Sequence, residues 1–298
     1  MNLLEEIENL NVGDVVSNPN MKEYTTYKAG GNALGLVIPD DIDGLIKLIK
    51  FLRLRKVKYK VLGNGSNLIF SDSLYNGILI KLDNFNKLEI NDNYVTVGAG
   101  YPLIKLSLRT ARAGLTGLEF ASGIPGTVGG AIFMNAGAYK MDMGYITTTV
   151  KVLDPNLEVK VLTNQDLDFH YRSSLLQKAK NYICLEATLL LRVGDTDAIL
   201  EVIKDRKKRR LETQPLEYPS AGSVFRNPKD DYAGRLIEQI GYKGYRIGDA
   251  MVSLKHANFI VNVGSASGDD IKKLIMEIKS KVKEKYNIDL KVEQEFVE

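Results

Sequence analysis

The chain has 298 residues, of which 44% are hydrophobic and 26% charged, a globular composition that excludes a disordered, collagen-like or low-complexity protein. Lys plus Arg number 40 and Asp plus Glu 37, so the net charge is only +3, too small a surplus for a strong nucleic-acid footprint. One cysteine, Cys184, and two histidines exclude an intrachain disulfide and a structural Cys/His zinc site, and the length suggests roughly two domains.

The first ten residues carry three Glu and no Lys or Arg, the wrong charge for a secretory signal, so a cytoplasmic protein is expected. A short helix is predicted over residues 1–11 and a strand over Leu34–Ile38, ended by Pro39. Ile42, Leu45, Ile46, Ile49 and Leu52 recur at three- and four-residue spacing and predict a helix over Asp40–Arg55. Tyr59–Leu62, Leu68–Phe70 and Ile78–Leu82 read as strands, with Gly63-Asn64-Gly65-Ser66-Asn67 between the first two. Tyr94–Val97 is a strand and Leu103–Arg112 a helix. Phe120–Tyr139 is twenty residues without a charge, long enough for a membrane span, but Pro125 and five glycines disfavour helix. It reads as a buried, loop-rich segment, and no membrane association is expected. Strands follow at Thr148–Leu153, Val159–Leu162 and Ile183–Leu191, then a helix at Asp195–Leu211 whose end carries the basic run 204–210. Pro215 and Pro219 mark a boundary. Beyond it, helices are predicted over Ala233–Ile240 and Asp269–Lys285, the latter capped by Ser267. A strand is predicted at Phe259–Val263, and a closing strand aligns Ile288, Leu290 and Val292 on one face with Glu293 opposite. The pattern is α+β.

Several segments bear residues suited to chemistry. Gly63–Asn67 serves either as an ordinary turn or as a cradle of amide donors for an anion. It is no dinucleotide fingerprint, since Leu68 stands where a third glycine is needed, and the chain has no Gly-Lys pair for a phosphate-binding Walker loop. Ala121-Ser122-Gly123-Ile124-Pro125-Gly126-Thr127-Val128-Gly129-Gly130-Ala131 is either a packing segment or a second amide-rich wall for a pyrophosphate. Arg172 is either a solvated side chain or a planar fork for a carboxylate. Ser223 sits among small residues that allow close approach, and Glu293 is either a surface carboxylate or a site group. His170 and His256 form no metal or triad pattern.

In combination and order, Thr25–Asn32, Gly63–Asn67, Glu119–Tyr139, Tyr171–Ser174, Gln214-Pro215, Ala221–Pro228, Ala233-Gly234 and Lys255–Asn262 resemble the UDP-N-acetylenolpyruvoylglucosamine reductase (MurB) family. The short Arg172-to-Ser223 interval resembles that family's shorter, second type, which lacks an extra tyrosine loop over the substrate. The resemblance implies a two-lobed FAD-binding domain of the vanillyl-alcohol-oxidase (PCMH) type, followed by a smaller α+β substrate-binding domain. The ranges expected are 1–82 and 83–205 for the lobes and 206–298 for the substrate domain.

It further implies non-covalent FAD held by Tyr27, Gly63, Asn64, Gly65, Ser66, Asn67, Ser122, Gly123, Pro125, Gly126, Thr127 and Gly129, with NADPH as reductant. The implied substrate is UDP-N-acetylglucosamine enolpyruvate, contacted by Arg226, Asn227, His256 and Asn258. Arg172 would pair with its carboxylate, Glu293 would hydrogen-bond the same group in its protonated form or through a shared proton, and Ser223 would protonate C2. No metal, nucleic acid or obligate protein partner is expected, and the enzyme is expected to be a monomer. Two rivals remain: an oxidase of the same FAD fold, and a nucleic-acid module using the helix 204–210. Some such oxidases tether their flavin through His or Cys; neither lies near Gly63–Asn67.

Overall fold

A computed structural model describes residues 2–179 and 181–298, so Met1, the first residue of the predicted N-terminal helix, lies outside the described residues. The chain forms two compact units. One holds residues 1–17, 35–63 and 77–208, and the other holds 18–34, 64–76 and 209–298.

The first unit carries the two larger sheets. In one, the strands run in the order Gly13–Ser17, Ala33–Pro39, Tyr75–Lys81, Lys58–Leu62. The first pair is antiparallel, with Val15 opposite Val37, and the last is parallel, with Lys60 opposite Leu79. The two parallel strands are joined through residues 63–74, which include the strand Leu68–Phe70, and the helix Ile42–Leu54 precedes them in the chain, between Ala33–Pro39 and Lys58–Leu62. Asp41 caps that helix by accepting from the Gly44 amide at 2.8 Å, and Leu45, Leu48, Ile49 and Leu52 are fully buried. The other sheet is antiparallel, in the order Val159–Thr163, Thr147–Leu153, Ile183–Leu190, Tyr94–Gly98, Leu88–Asn91. Its inward residues, among them Val95, Val97, Val150, Val152, Ala187 and Leu189, are wholly buried. The helix Leu103–Arg112 buries Ala111 against Ile199 and Ile203 of the helix Thr196–Thr213. Each fully buried aliphatic side chain contributes about 1.5–3 kcal/mol of transfer free energy.

In the second unit a three-stranded antiparallel sheet, Arg246–Ile247, Ala250–Val252 and Ile260–Asn262, shares one core with the helices Ala233–Gln239 and Gly268–Tyr286. Ile271, Leu274, Ile275, Ile278 and Val282 of the long helix are buried together, as their spacing requires. Ser267 and Asp270 form a reciprocal cap at its start, and the Asp72 carboxylate accepts from the Gly268 and Asp269 amides at 3.1 and 3.0 Å. A carboxylate there meets the positive end of the helix dipole.

Two sequence expectations need correction. The final strand is Glu295–Val297, parallel to Leu68–Phe70, and not Ile288–Val292. Ile288, Leu290 and Val292 do turn toward the core, but their segment crosses residues 224–226 through isolated bonds and builds no ladder. The segment Phe120–Tyr139 also contains a helix, Val128–Met134. Thr127 starts it by accepting from the Gly130 amide at 3.3 Å, and Asn135 ends it in the left-handed region, so local caps override the glycine penalty. The strand Gly13–Ser17 had no clear sequence signal.

Candidate active site

In the first unit Gly63 and Thr127, one residue from each glycine-rich stretch, come close together. A Cβ on Gly63 would lie 2.8 Å from Thr127 Oγ1, so only glycine allows this approach. The chain is tied down on both sides of Thr127: Gly126 O accepts from Leu103 N at 3.0 Å, and Gly129 N donates to Ala99 O at 2.8 Å. Ser122, Gly123 and Gly126 are half-buried, Pro125 is exposed and Thr127 is buried.

The other end of the helix Val128–Met134 anchors the turn that holds Arg172. With seven residues the helix spans roughly 10 Å. Asn135 Nδ2 donates to His170 O at 2.9 Å, and Ser174 Oγ donates to Phe133 O at 2.8 Å. These bonds fix a tight turn in which His170 and Ser173 exchange both backbone bonds at 3.0 Å. Arg172 occupies the turn with φ +54°, a conformation costing a non-glycine residue about 1–2 kcal/mol. Its Nη2 donates to Gly137 O at 2.8 Å, and its guanidinium lies 5.1 Å from the Tyr171 ring centroid. One helix therefore positions both the Thr127 loop and the arginine.

Asn64–Asn67 belong to the second unit, as do Tyr27, Ser223 and Glu293. Gly65 turns the chain with φ +61°, and a Cβ there would meet Tyr24 O at 2.1 Å. Asn67 joins the C-terminal segment: its Nδ2 donates to Glu293 O at 3.2 Å, and its carbonyl accepts from Glu295 N at 2.9 Å. Glu293 N in turn donates to Val224 O at 2.8 Å, so Ser223 and Glu293 lie on adjoining antiparallel segments, both half-buried.

The segment after Ser223 is held by Asn258, whose side chain accepts from Phe225 N at 3.0 Å and donates to Phe225 O at 2.8 Å. Asn227 Oδ1 accepts from Ala233 N at 3.1 Å and so helps to start the helix Ala233–Gln239. Arg226 is half-buried, and its Nε is buried without a hydrogen-bond partner. His256 Nδ1 accepts from Asn258 N at 3.2 Å, and its ring meets Phe259 edge-on at 4.8 Å. Burial holds the imidazole below its ordinary pKa, with Lys243 acting in the same direction and Glu238 against it. Tyr27 is 1% exposed and its hydroxyl donates to Gln294 Oε1 at 2.9 Å; burial pushes the phenol pKa up. Gln294 was not anticipated, because one amide between two glutamates reads as surface.

A family model described as the C-terminal domain of UDP-N-acetylenolpyruvoylglucosamine reductase matches residues 214–297, and one described as an FAD binding domain matches residues 33–162. Over 296 residues the chain is 46% identical to the reductase of Halalkalibacterium halodurans, covering 99% of this chain and 98% of that one. The Bacillus subtilis reductase is 43% identical with the same coverage. The chain belongs to the UDP-N-acetylenolpyruvoylglucosamine reductase family. The crystal structure of the reductase from Thermus caldophilus aligns with it at a TM-score of 0.80 and 36% identity, covering 96% of this chain and 98% of that one. Berberine bridge enzyme from Eschscholzia californica shares the fold alone, at 16% identity and a TM-score of 0.51 over 65% of this chain and 44% of that enzyme.

Family membership makes this reductase an oxidoreductase of peptidoglycan precursor synthesis, with an FAD-binding domain. The residues around Gly63 and Thr127 fit such a cofactor: an uncharged, half-buried loop rich in backbone amides suits an anionic pyrophosphate. Among the described residues, no helix is long and apolar enough to cross a membrane.

Proposed function

We propose that this enzyme reduces UDP-N-acetylglucosamine enolpyruvate to UDP-N-acetylmuramate, with NADPH as reductant. When bound, FAD supplies a hydride, taken from NADPH, to C3 of the enolpyruvyl group. Gly63–Asn67, Ser122, Gly123, Pro125, Gly126, Thr127 and Gly129 hold the cofactor, chiefly through amides. Arg172 pairs with the substrate carboxylate and offsets the charge that grows there as C3 gains the hydride. Glu293 hydrogen-bonds the same group. Ser223 donates its hydroxyl proton to C2, which completes addition of two hydrogens across the double bond; a properly placed donor contributes about 10²- to 10⁴-fold in rate. Arg226 meets the diphosphate or uridine directly. Asn227, Asn258 and His256 shape that part of the site through the Ala233 and Phe225 backbone bonds they make. The enzyme works as a cytoplasmic monomer, with 1–82 and 83–205 as FAD-binding lobes and 206–298 as the substrate domain.

The observation that supports this reading best is the adjacency of Ser223 and Glu293, fixed by the Glu293 N to Val224 O bond. Stopped-flow measurement of Ser223→Ala tests it: flavin reduction by NADPH stays near wild type and reoxidation by substrate slows about 100-fold or more. Equal slowing of both half-reactions refutes the proton-donor role.

A further inference from the structure

Gln294 is 4% exposed and next in sequence to Glu293. Adjacent side chains leave an extended segment on opposite sides, so Gln294 enters the core while Glu293 is only half-buried. Its amide is used by three named groups. Nε2 donates to Ala221 O at 3.0 Å and to Gly222 O at 3.3 Å, and Oε1 accepts from Tyr27 at 2.9 Å. An amide nitrogen has two hydrogens, and both are directed at the consecutive carbonyls that precede Ser223.

The Gly222 carbonyl lies in the peptide plane that joins Gly222 to Ser223. Holding that oxygen fixes the plane from which the Ser223 side chain departs. Gly222 has φ +75°, and nothing lies within 4 Å of the place a Cβ would occupy, so packing on that side does not hold the plane. Downstream, Asn258 grips the Phe225 backbone from both sides, and Val224 N donates to Asn258 O at 2.9 Å. Ser223 thus stands between two amide clamps, and only the upstream one, Gln294, also belongs to the segment that carries Glu293.

We infer that Gln294 is a positioning residue for the proton transfer: it orients the Gly222–Ser223 peptide and couples Ser223 to the Glu293 segment, with Tyr27 as its buried anchor. This rests on the reading of Ser223 as the proton donor. A displacement of a catalytic group by about 1 Å can cost on the order of 100-fold in rate.

The test uses the holoenzyme in anaerobic stopped flow, with Gln294→Met, the double variant Gln294→Met/Tyr27→Phe, and Ser223→Ala. Methionine keeps the length of the side chain and removes both donors. In Gln294→Met, flavin reduction by NADPH proceeds as in wild type, while reoxidation slows about 10- to 100-fold. KM for the enolpyruvyl substrate holds, and the solvent isotope effect on reoxidation grows because proton transfer now limits the step. The double variant removes the stranded Tyr27 hydroxyl and regains folding stability in urea, because replacing both partners of a buried hydrogen bond by apolar groups is nearly neutral. Its reoxidation remains slow, since the two carbonyls are still unheld. Recovery of rate together with stability in the double variant overturns the inference, because a purely structural role then suffices. Fast reoxidation in Gln294→Met beside slow reoxidation in Ser223→Ala also overturns it, and leaves the proton donor in place. Fast reoxidation in both removes the parent reading and this one together.

Discussion

The contact between Gly63 and Thr127 gives the sharpest quantitative prediction. Gly63→Ala places a methyl group 2.8 Å from Thr127 Oγ1. That oxygen is hard to move: Thr127 is buried, its β-branched side chain is stiff, and its hydroxyl caps the helix Val128–Met134. Forcing a methyl group into a packed site costs about 1–3 kcal/mol. The loss of glycine's freedom in the unfolded chain returns about 0.4–1 kcal/mol, because Gly63 does not need a positive φ. The net cost is about 1–2 kcal/mol. Thr127→Ala alone loses the cap, about 0.5–2 kcal/mol. In that background the Gly63 methyl meets nothing of residue 127 closer than 3.9 Å, so adding Gly63→Ala becomes neutral or slightly stabilising.

The two changes therefore couple by about 2 kcal/mol in a double-mutant cycle, which urea unfolding of the four proteins measures. Gly63→Ala also lowers FAD retained per chain, read from the visible flavin band after desalting, because it parts the two loops. Additive effects, with Gly63→Ala costing the same in both backgrounds, refute the contact and the loop arrangement built on it.

Two further predictions concern single groups. Burial, aided by Glu186, pushes the Cys184 thiol up to about 12. The thiolate is thus scarce at neutral pH, and a thiol reagent leaves the native protein unlabelled but labels it fully in denaturant; rapid native labelling contradicts the buried placement. For His256 the folded pKa lies below the unfolded value of about 6.5. The unfolded chain then binds more protons than the folded one as pH falls from that value toward the folded pKa, so stability drops across this window. His256→Gln removes that component, and its urea midpoint falls less between pH 8 and pH 5 than the wild-type midpoint does. Equal slopes refute the buried neutral imidazole.

Regular elements were legible wherever one period dominated. The helix Leu103–Arg112 and strand Leu68–Phe70 match their predicted ends, and Asp269–Lys285 widened by one residue at each end to Gly268–Tyr286. Such stripes depend on local spacing alone. Tertiary contacts were not legible. The ladder Glu295–Val297 forms because Leu68–Phe70 is its partner, and these strands are far apart in sequence. The alternation of Ile288, Leu290 and Val292 correctly marked burial, but burial of one face does not supply a neighbouring strand. At the site, glycine density marked Gly63 and the stretch around Thr127, which the structure brings within contact, and small residues marked Ser223, which lies beside the Glu293 segment. Of the groups that hold those segments, Gln294 and Asn135 are ordinary amides in sequence, and Asn258, which the resemblance implies as a substrate contact, shows its hold on the Phe225 backbone only in the structure.

The measurement closest to the central claim is anaerobic. The holoenzyme is bleached with stoichiometric NADPH and mixed with UDP-N-acetylglucosamine enolpyruvate in the absence of oxygen. Return of the flavin band at a rate that rises with substrate, with UDP-N-acetylmuramate formed in matching amount, is the predicted result. A band that stays bleached with substrate and returns only on admitting air would contradict the reductase chemistry and favour an oxidase.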